Sequence, residues 1–245
     1  MGRRILVTGA RRGIGAALAT GLAEPGSTVL IHHLAAGAEA EGVARRCREL
    51  GAEALTVEAD LADPAAVLRL AEAAGPVDIL VNNAARASNV GLGALPLAEW
   101  QATFAVNVTA AMLLTQALAS GMAERGWGRI INITSVTVRL GGPSGPSYVA
   151  SKAALIGLTR AAARSLGPAG ITVNAISPGA VVTEGEAELA GERGVAEAHA
   201  AIVAAQAVPR PLLPADMIAA VRFLASPGAS AMTGQVLEVG AGLVF

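Results

Sequence analysis

The chain predicts a single doubly wound α/β domain, with a parallel sheet of about seven strands flanked by helices on both faces. Three observations carry this. Short β-rich runs alternate with helical segments over most of the sequence, and a glycine-rich turn joins the first strand to the first helix. The composition, 53% hydrophobic but only 2% aromatic, suits alanine-rich helices lying close on a buried sheet. A length of 245 residues fits one unit, 1–245, without a linker or an internal repeat.

Residues 3–7 form the first β run, which ends in Thr8-Gly9-Ala10-Arg11-Arg12-Gly13-Ile14-Gly15. Residues 16–23 then read as a helix stopped by Pro25-Gly26, and 28–31 as the second strand. This is a βαβ unit, so the two strands are parallel with a right-handed crossover. A helix over 38–50 ends at Gly51, a strand covers 54–57, and Asp63-Pro64 opens another helix. Residues 77–81, 130–134 and 172–176 continue the strands, with a helix through Tyr148 between the last two. The stretch 184–209 is small-residue-rich and the least sheet-like; it reads as an insertion serving as a substrate lid before a helix opened by Pro214.

Several function classes are excluded. Net charge is −1 with scattered basic residues, which offers neither a nucleic-acid groove nor an anionic-membrane face. Cys47 is the only cysteine, so no intrachain disulfide or thiolate metal site forms, and a reduced cytoplasmic setting fits. His32-His33 is a poor metal pair because adjacent strand residues point to opposite faces. The 24 uncharged residues between Glu99 and Glu124 are long enough to span a membrane, but the polar residues spread through them, Asn107 and Gln116 among them, indicate a core helix. That helix also suits a subunit interface.

Candidate chemistry collects just after strands: Asp60, Asn82, Ser135 and Pro178-Gly179 each follow a β run. In an open parallel sheet that edge is where ligands bind. Tyr148 and Lys152, four residues apart, share one helix face, where an ammonium beside a phenol favours phenolate and brings a proton donor towards neutral pH. The glycines of the first turn let a backbone approach a pyrophosphate, with the amides of the following helix aimed at the anion.

Together T-G-x-x-x-G-x-G at 8–15, Asn82-Asn83-Ala84, Ser135 thirteen residues before Tyr148, Tyr148-x-x-x-Lys152 and Pro178-Gly179 resemble the short-chain dehydrogenases/reductases over nearly the whole chain. The resemblance implies a Rossmann domain in which Tyr148 protonates a carbonyl oxygen, Ser135 holds that oxygen, Lys152 binds the nicotinamide ribose and lowers the tyrosine pKa, and Asn107 anchors a water in a proton relay. It places the dinucleotide against Gly9, Arg11, Arg12, Gly13, Ile14, Gly15, His33, Asp60, Leu61, Asn83, Ala84, Tyr148, Lys152, Pro178, Gly179, Val181 and Thr183. Ala85 departs from the glycine usual at that point of the family pattern. No acidic residue stands at the end of the second strand, where His33 falls, and Arg11 and Arg12 lie in the glycine turn, so NADP is expected over NAD.

The runs 128–133 and 170–175 look most like the 3-oxoacyl-[acyl-carrier-protein] reductase branch. In that branch two basic residues help dock the acidic carrier; Arg129 matches one, while Ala169 stands at the second place. Arg139 and Arg210 are further candidates for holding an acid or phosphate. The apolar, small-residue lining between Val136 and Ser147 suits a modest hydrophobic ketone or secondary alcohol. The resemblance also implies a homotetramer, with residues 243–245 at one interface. A non-catalytic NAD(P)-binding regulator on the same fold is the alternative, and an epimerase or dehydratase is disfavoured because little chain remains for a substrate domain.

Overall fold

The computed structural model describes residues 2–184 and 192–244, with backbone alone for 192–198. Seven parallel strands form one sheet in the order β3-β2-β1-β4-β5-β6-β7. They are β1 (Arg4–Val7), β2 (Thr28–His33), β3 (Glu53–Glu58), β4 (Ile79–Asn82), β5 (Gly128–Ile133), β6 (Ile171–Pro178) and β7 (Val236–Val239). The first six coincide with the predicted runs to within a few residues. β7 lacked a sequence assignment because its four positions are all only half-buried and carry no strong apolar period.

Alternation along each strand sends side chains to two cores. Ile5, Val7, Val29 and Ile31 face α1 (Gly13–Leu22), α2 (Gly37–Glu49) and α9 (Ile218–Ala225). Leu6, Leu30, Leu80 and Ile130 face α3 (Pro64–Ala74) and α5 (Ala110–Glu124), while α7 (Pro146–Leu166) covers β6 on the same side. As expected, Asp63 caps α3, its carboxylate accepting from the Ala65 amide at 2.9 Å with Pro64 in the first turn.

The uncharged segment is helical throughout: α4 (Leu97–Phe104), a π-turn over Ala105–Thr109, then α5. By length and composition it could cross a membrane, yet 44% of its most apolar window is buried. Ala110, Leu114, Leu118 and Met122 form the buried stripe against the sheet, which is the core-helix arrangement. Of the expected lid, 185–191 lies outside the described residues; the rest is not irregular but contains α8 (Glu192–Ala205). Phe245, part of the expected C-terminal interface, also lies outside them.

Strand order reverses between β1 and β4, which flank one another while their crossovers lead to opposite ends of the sheet. That reversal opens a crevice above the carboxyl ends of the two strands. The turn after β1 and the 83–85 segment after β4 meet there.

Candidate active site

The turn after β1 is held open by its neighbours. Thr8 Oγ1 accepts from the amides of Asn83 and Ala84 at 2.9 and 3.0 Å, and Asn83 Nδ2 donates back to the carbonyls of Thr8 and Gly9 at 2.9 and 3.1 Å. Gly9 has φ +63° and lies so close to Ala84 that a side-chain carbon there would stand 2.8 Å from its Cα. At Gly15 an added Cβ would collide with the Gly9 carbonyl oxygen and lie 2.5 Å from Asn83 Nδ2. We therefore expect Gly15→Ala to destabilise the chain by about 1–3 kcal/mol through overpacking, with weaker dinucleotide binding. An unchanged melting midpoint would contradict this close approach.

Above the turn runs a cleft of about 430 Å³. Gly9, Arg11, Arg12, Gly13, Ile14 and Gly15 form one wall; His33, Asp60, Leu61, Asn83, Ala84 and Thr183 complete the part of the predicted set found there, with Ala85 beside them. Arg12 is the N-cap of α1 in extended conformation and no side chain caps the helix, so the first amides of a ten-residue helix are left for an anion. These features fit a dinucleotide pyrophosphate.

His32 is a member of this wall that sequence reasoning left without a role. Its Nδ1 accepts the Gly9 amide at 3.0 Å and its Nε2 contacts the Ala59 carbonyl at 3.0 Å, so the ring ties the turns after β1 and β3 together. Burial pushes its pKa down to about 4, outweighing the hydrogen bond to Ala59, and the neutral ring with hydrogen on Nε2 is the form that satisfies both contacts. His33 is also buried, and its Nδ1 accepts the Ala36 amide at 3.3 Å at the start of α2. The end of β2 carries no acid, as expected, but one reaches this corner from the next helix. Glu39, in the first turn of α2, reaches Arg11 with both carboxylate oxygens, at 3.1 and 3.0 Å.

The second half of the site lies on α7. Ser147, Ser151, Leu155, Thr159 and Ala163 form a buried i, i+4 row that seats the helix on β5 and β6. Thr159 Oγ1 accepts from Asn132 Nδ2 at 2.8 Å, and Asn82 Nδ2 donates to Asn132 Oδ1 at 2.8 Å, a buried ladder that sequence reasoning missed. Lys152 is 2% exposed, with Nζ donating to the Ile133 carbonyl at 2.7 Å and standing 5.5 Å from the centroid of the half-buried Tyr148 ring. Burial pushes its ammonium from 10.5 down to about 8.

Asn107 sits in the π-turn and is buried. Its Oδ1 accepts the Arg86 amide at 2.7 Å, while Nδ2 donates to the Arg86 carbonyl at 3.1 Å and to Ser151 Oγ at 2.9 Å. Ser151 Oγ donates onward to the Tyr148 carbonyl at 2.7 Å. The Asn107 side chain is thus committed to protein partners, so a water in the expected relay would have to use its main-chain carbonyl. Ser135 follows β5, and its Oγ accepts from the Thr137 hydroxyl at 2.9 Å and amide at 3.2 Å. The Val136 amide donates to Pro178 at 3.0 Å, placing that turn beside the end of β6. Gly179 donates to Val239 at 3.0 Å, and Val181 is buried in a bridge to Leu212.

Two expectations for arginines fail. Arg129 is 2% exposed; its guanidinium donates to the carbonyls of Ser226, Gly128 and Gly170 and lies over Trp127, so it cannot meet a carrier protein. Arg210 is bidentate to Asp216 at 2.9 and 2.7 Å, an internal neutralisation that leaves no cation for a substrate acid. Arg139 is exposed on α6 (Thr137–Leu140).

Comparison with known proteins gives the same picture. The short chain dehydrogenase family model matches residues 3–194. A 3-oxoacyl-[acyl-carrier-protein] reductase of Synechocystis is 36% identical over 98% of this chain and 96% of its own length. The crystal structure of a 3-oxoacyl (acyl-carrier-protein) reductase from Agrobacterium tumefaciens with NADP bound aligns with TM-score 0.91 at 32% identity, covering 98% of this chain and 94% of that one. A blue fluorescent protein from a metagenomic library, in complex with NADPH, aligns with TM-score 0.89 at 37% identity, covering 100% and 98%. With its glycine turn, its crevice at the strand reversal and its tyrosine–lysine helix, the chain belongs to the short chain dehydrogenase family of NAD(P)-dependent oxidoreductases.

Proposed function

We propose that this chain is an NADP-dependent oxidoreductase that interconverts a ketone and a secondary alcohol. One observation carries the reading: Lys152 is buried against the Ile133 carbonyl at the end of β5, two residues before Ser135, and on the same helix face as Tyr148. A buried ammonium with one hydrogen bond to protein retains donors for ribose hydroxyls. Bound NADP(H) supplies the hydride chemistry at the substrate carbon. Tyr148 gives its phenolic proton to the carbonyl oxygen in reduction and takes it back in oxidation. Ser135 Oγ donates to that oxygen and fixes its position, and Thr137 orients the serine hydroxyl. Asn107 and Ser151 act behind these groups, holding the first turn of α7 against the 86 segment.

The small, apolar stretch around Leu140 and Gly141 supports a modest hydrophobic ketone, and the named reductases support a 3-oxoacyl thioester as one candidate. Carrier docking, if used, has to come from residues other than Arg129. Buried Cys47, whose thiol burial pushes up to about 11, supports a thiol kept out of redox chemistry and a cytoplasmic setting. Exposed Leu97 on α4 and Met112 on α5, with Leu92 in the turn before them, support a homotetramer, which sedimentation tests.

An NADPH-oxidation screen over 3-oxoacyl thioesters, β-keto esters, small ketones and quinones tests the reading. Turnover of at least one class is expected. NADPH binding without turnover of any substrate would favour the regulator on the same fold.

A further inference from the structure

The acid that the end of β2 lacks arrives from the next helix. Arg11 Nη1 donates to both carboxylate oxygens of Glu39, and the two side chains remain 32% and 52% exposed, so the pair forms the solvent rim of the cleft. Glu39 is well held there: it lies in the first turn of α2, where the helix dipole favours a carboxylate, and His33 fastens the residue at which that helix starts. Arg11 belongs to two adjoining spaces, the dinucleotide cleft and a groove between α1 and α2 that Glu39 and Arg46 also line.

We propose that Glu39 is a specificity-determining residue that weakens this chain's hold on the 2′-phosphate of NADP by occupying Arg11; the proposal rests on the dinucleotide reading above. A phosphomonoester carries roughly two negative charges at neutral pH. Brought to the rim, it meets a guanidinium already neutralised by a carboxylate. If Arg11 stays with Glu39, the phosphate is repelled by that carboxylate. If Arg11 turns to the phosphate, Glu39 loses its partner and remains beside the dianion. Both arrangements tax the phosphate, and neither affects an uncharged 2′-hydroxyl. Arg12 and Glu184 line the same wall, and neither is changed by substitution at 39.

The test is equilibrium titration of NADPH and NADH by cofactor fluorescence, without substrate, on the parent, Glu39→Gln, Arg11→Gln and the double variant. Exposed charge interactions reach about 1 kcal/mol, so Glu39→Gln should tighten NADPH binding by about fivefold and leave NADH unchanged. High salt should shrink that gain, and in the Arg11→Gln background only the part due to direct repulsion by Glu39 should remain. Unchanged or weaker NADPH binding by Glu39→Gln, or equal tightening of both cofactors, would overturn the proposal. A parent that binds neither cofactor removes the dinucleotide reading and this inference together; a parent that binds both while Glu39→Gln matches it overturns only the inference.

Discussion

Tyr148→Phe is expected to lower kcat by about three orders of magnitude, within the range for loss of a positioned general acid, while NADPH binding persists. The substitution removes one oxygen and keeps the ring, so the half-buried aromatic still fills its place on α7 and Lys152 Nζ keeps a ring face 5.5 Å away. The buried row beneath it, Ser147 to Ala163, is untouched, and so are the hydrogen bonds that place Lys152 and Asn107. What disappears is the only phenol in the sequence and, with it, the proton donor of reduction. Rapid-quench or steady-state measurement with the best substrate of the screen, alongside cofactor titration, separates the two effects. Residual activity above about a tenth of the parent's would exceed what loss of a general acid allows and would sink the role given to Tyr148.

Lys152→Met should produce opposite effects on activity and stability. Activity should be lost, because the ribose donor and the cation beside the phenol go together. The cofactor-free chain should nevertheless become more stable at neutral pH. Burial holds Lys152 at about 8 in the folded chain against 10.5 ordinarily, so the folded state binds the proton less well than the unfolded state. That penalty is present in full below pH 8 and is relieved as pH rises from 8 towards 10.5, where the parent's stability should climb. A depression of this size corresponds to about 3 kcal/mol. Met keeps the length of the stem but leaves the Ile133 carbonyl without its donor, a loss of about 1 kcal/mol. A net gain of about 2 kcal/mol at pH 7 follows, shrinking as pH rises. Denaturation curves between pH 7 and 10 check it. A Met variant less stable than the parent at pH 7 would show that burial does not penalise this lysine.

Much of the scaffold was legible because its signals are local. Strand and helix periods placed six of the seven strands, Asp63-Pro64 announced a cap, and the spacing of Tyr148 and Lys152 put both on one face of α7. β7 was hidden by its half-buried edge position, and α8 by a small-residue composition that reads equally as loop. The arginines were the hardest. Arg129 lies in a strand whose six positions are all buried, so its chain is drawn inward to carbonyls that come from residues up to 97 positions away. Arg210 and Arg11 each carry the same charge in the sequence as a free cation would, and only the fold brings Asp216 and Glu39 within hydrogen-bonding distance.

By itself, then, the amino-acid order determined the layer architecture, the edge of the sheet where ligands bind and the residue types gathered there, because each depends on period, turn chemistry and spacing within one element. The tertiary structure alone decided which charges remain available to a ligand. Pairing and burial of an ionisable group depend on neighbours from other elements, and a shift of a few ångströms in helix docking changes a free guanidinium into a neutralised one.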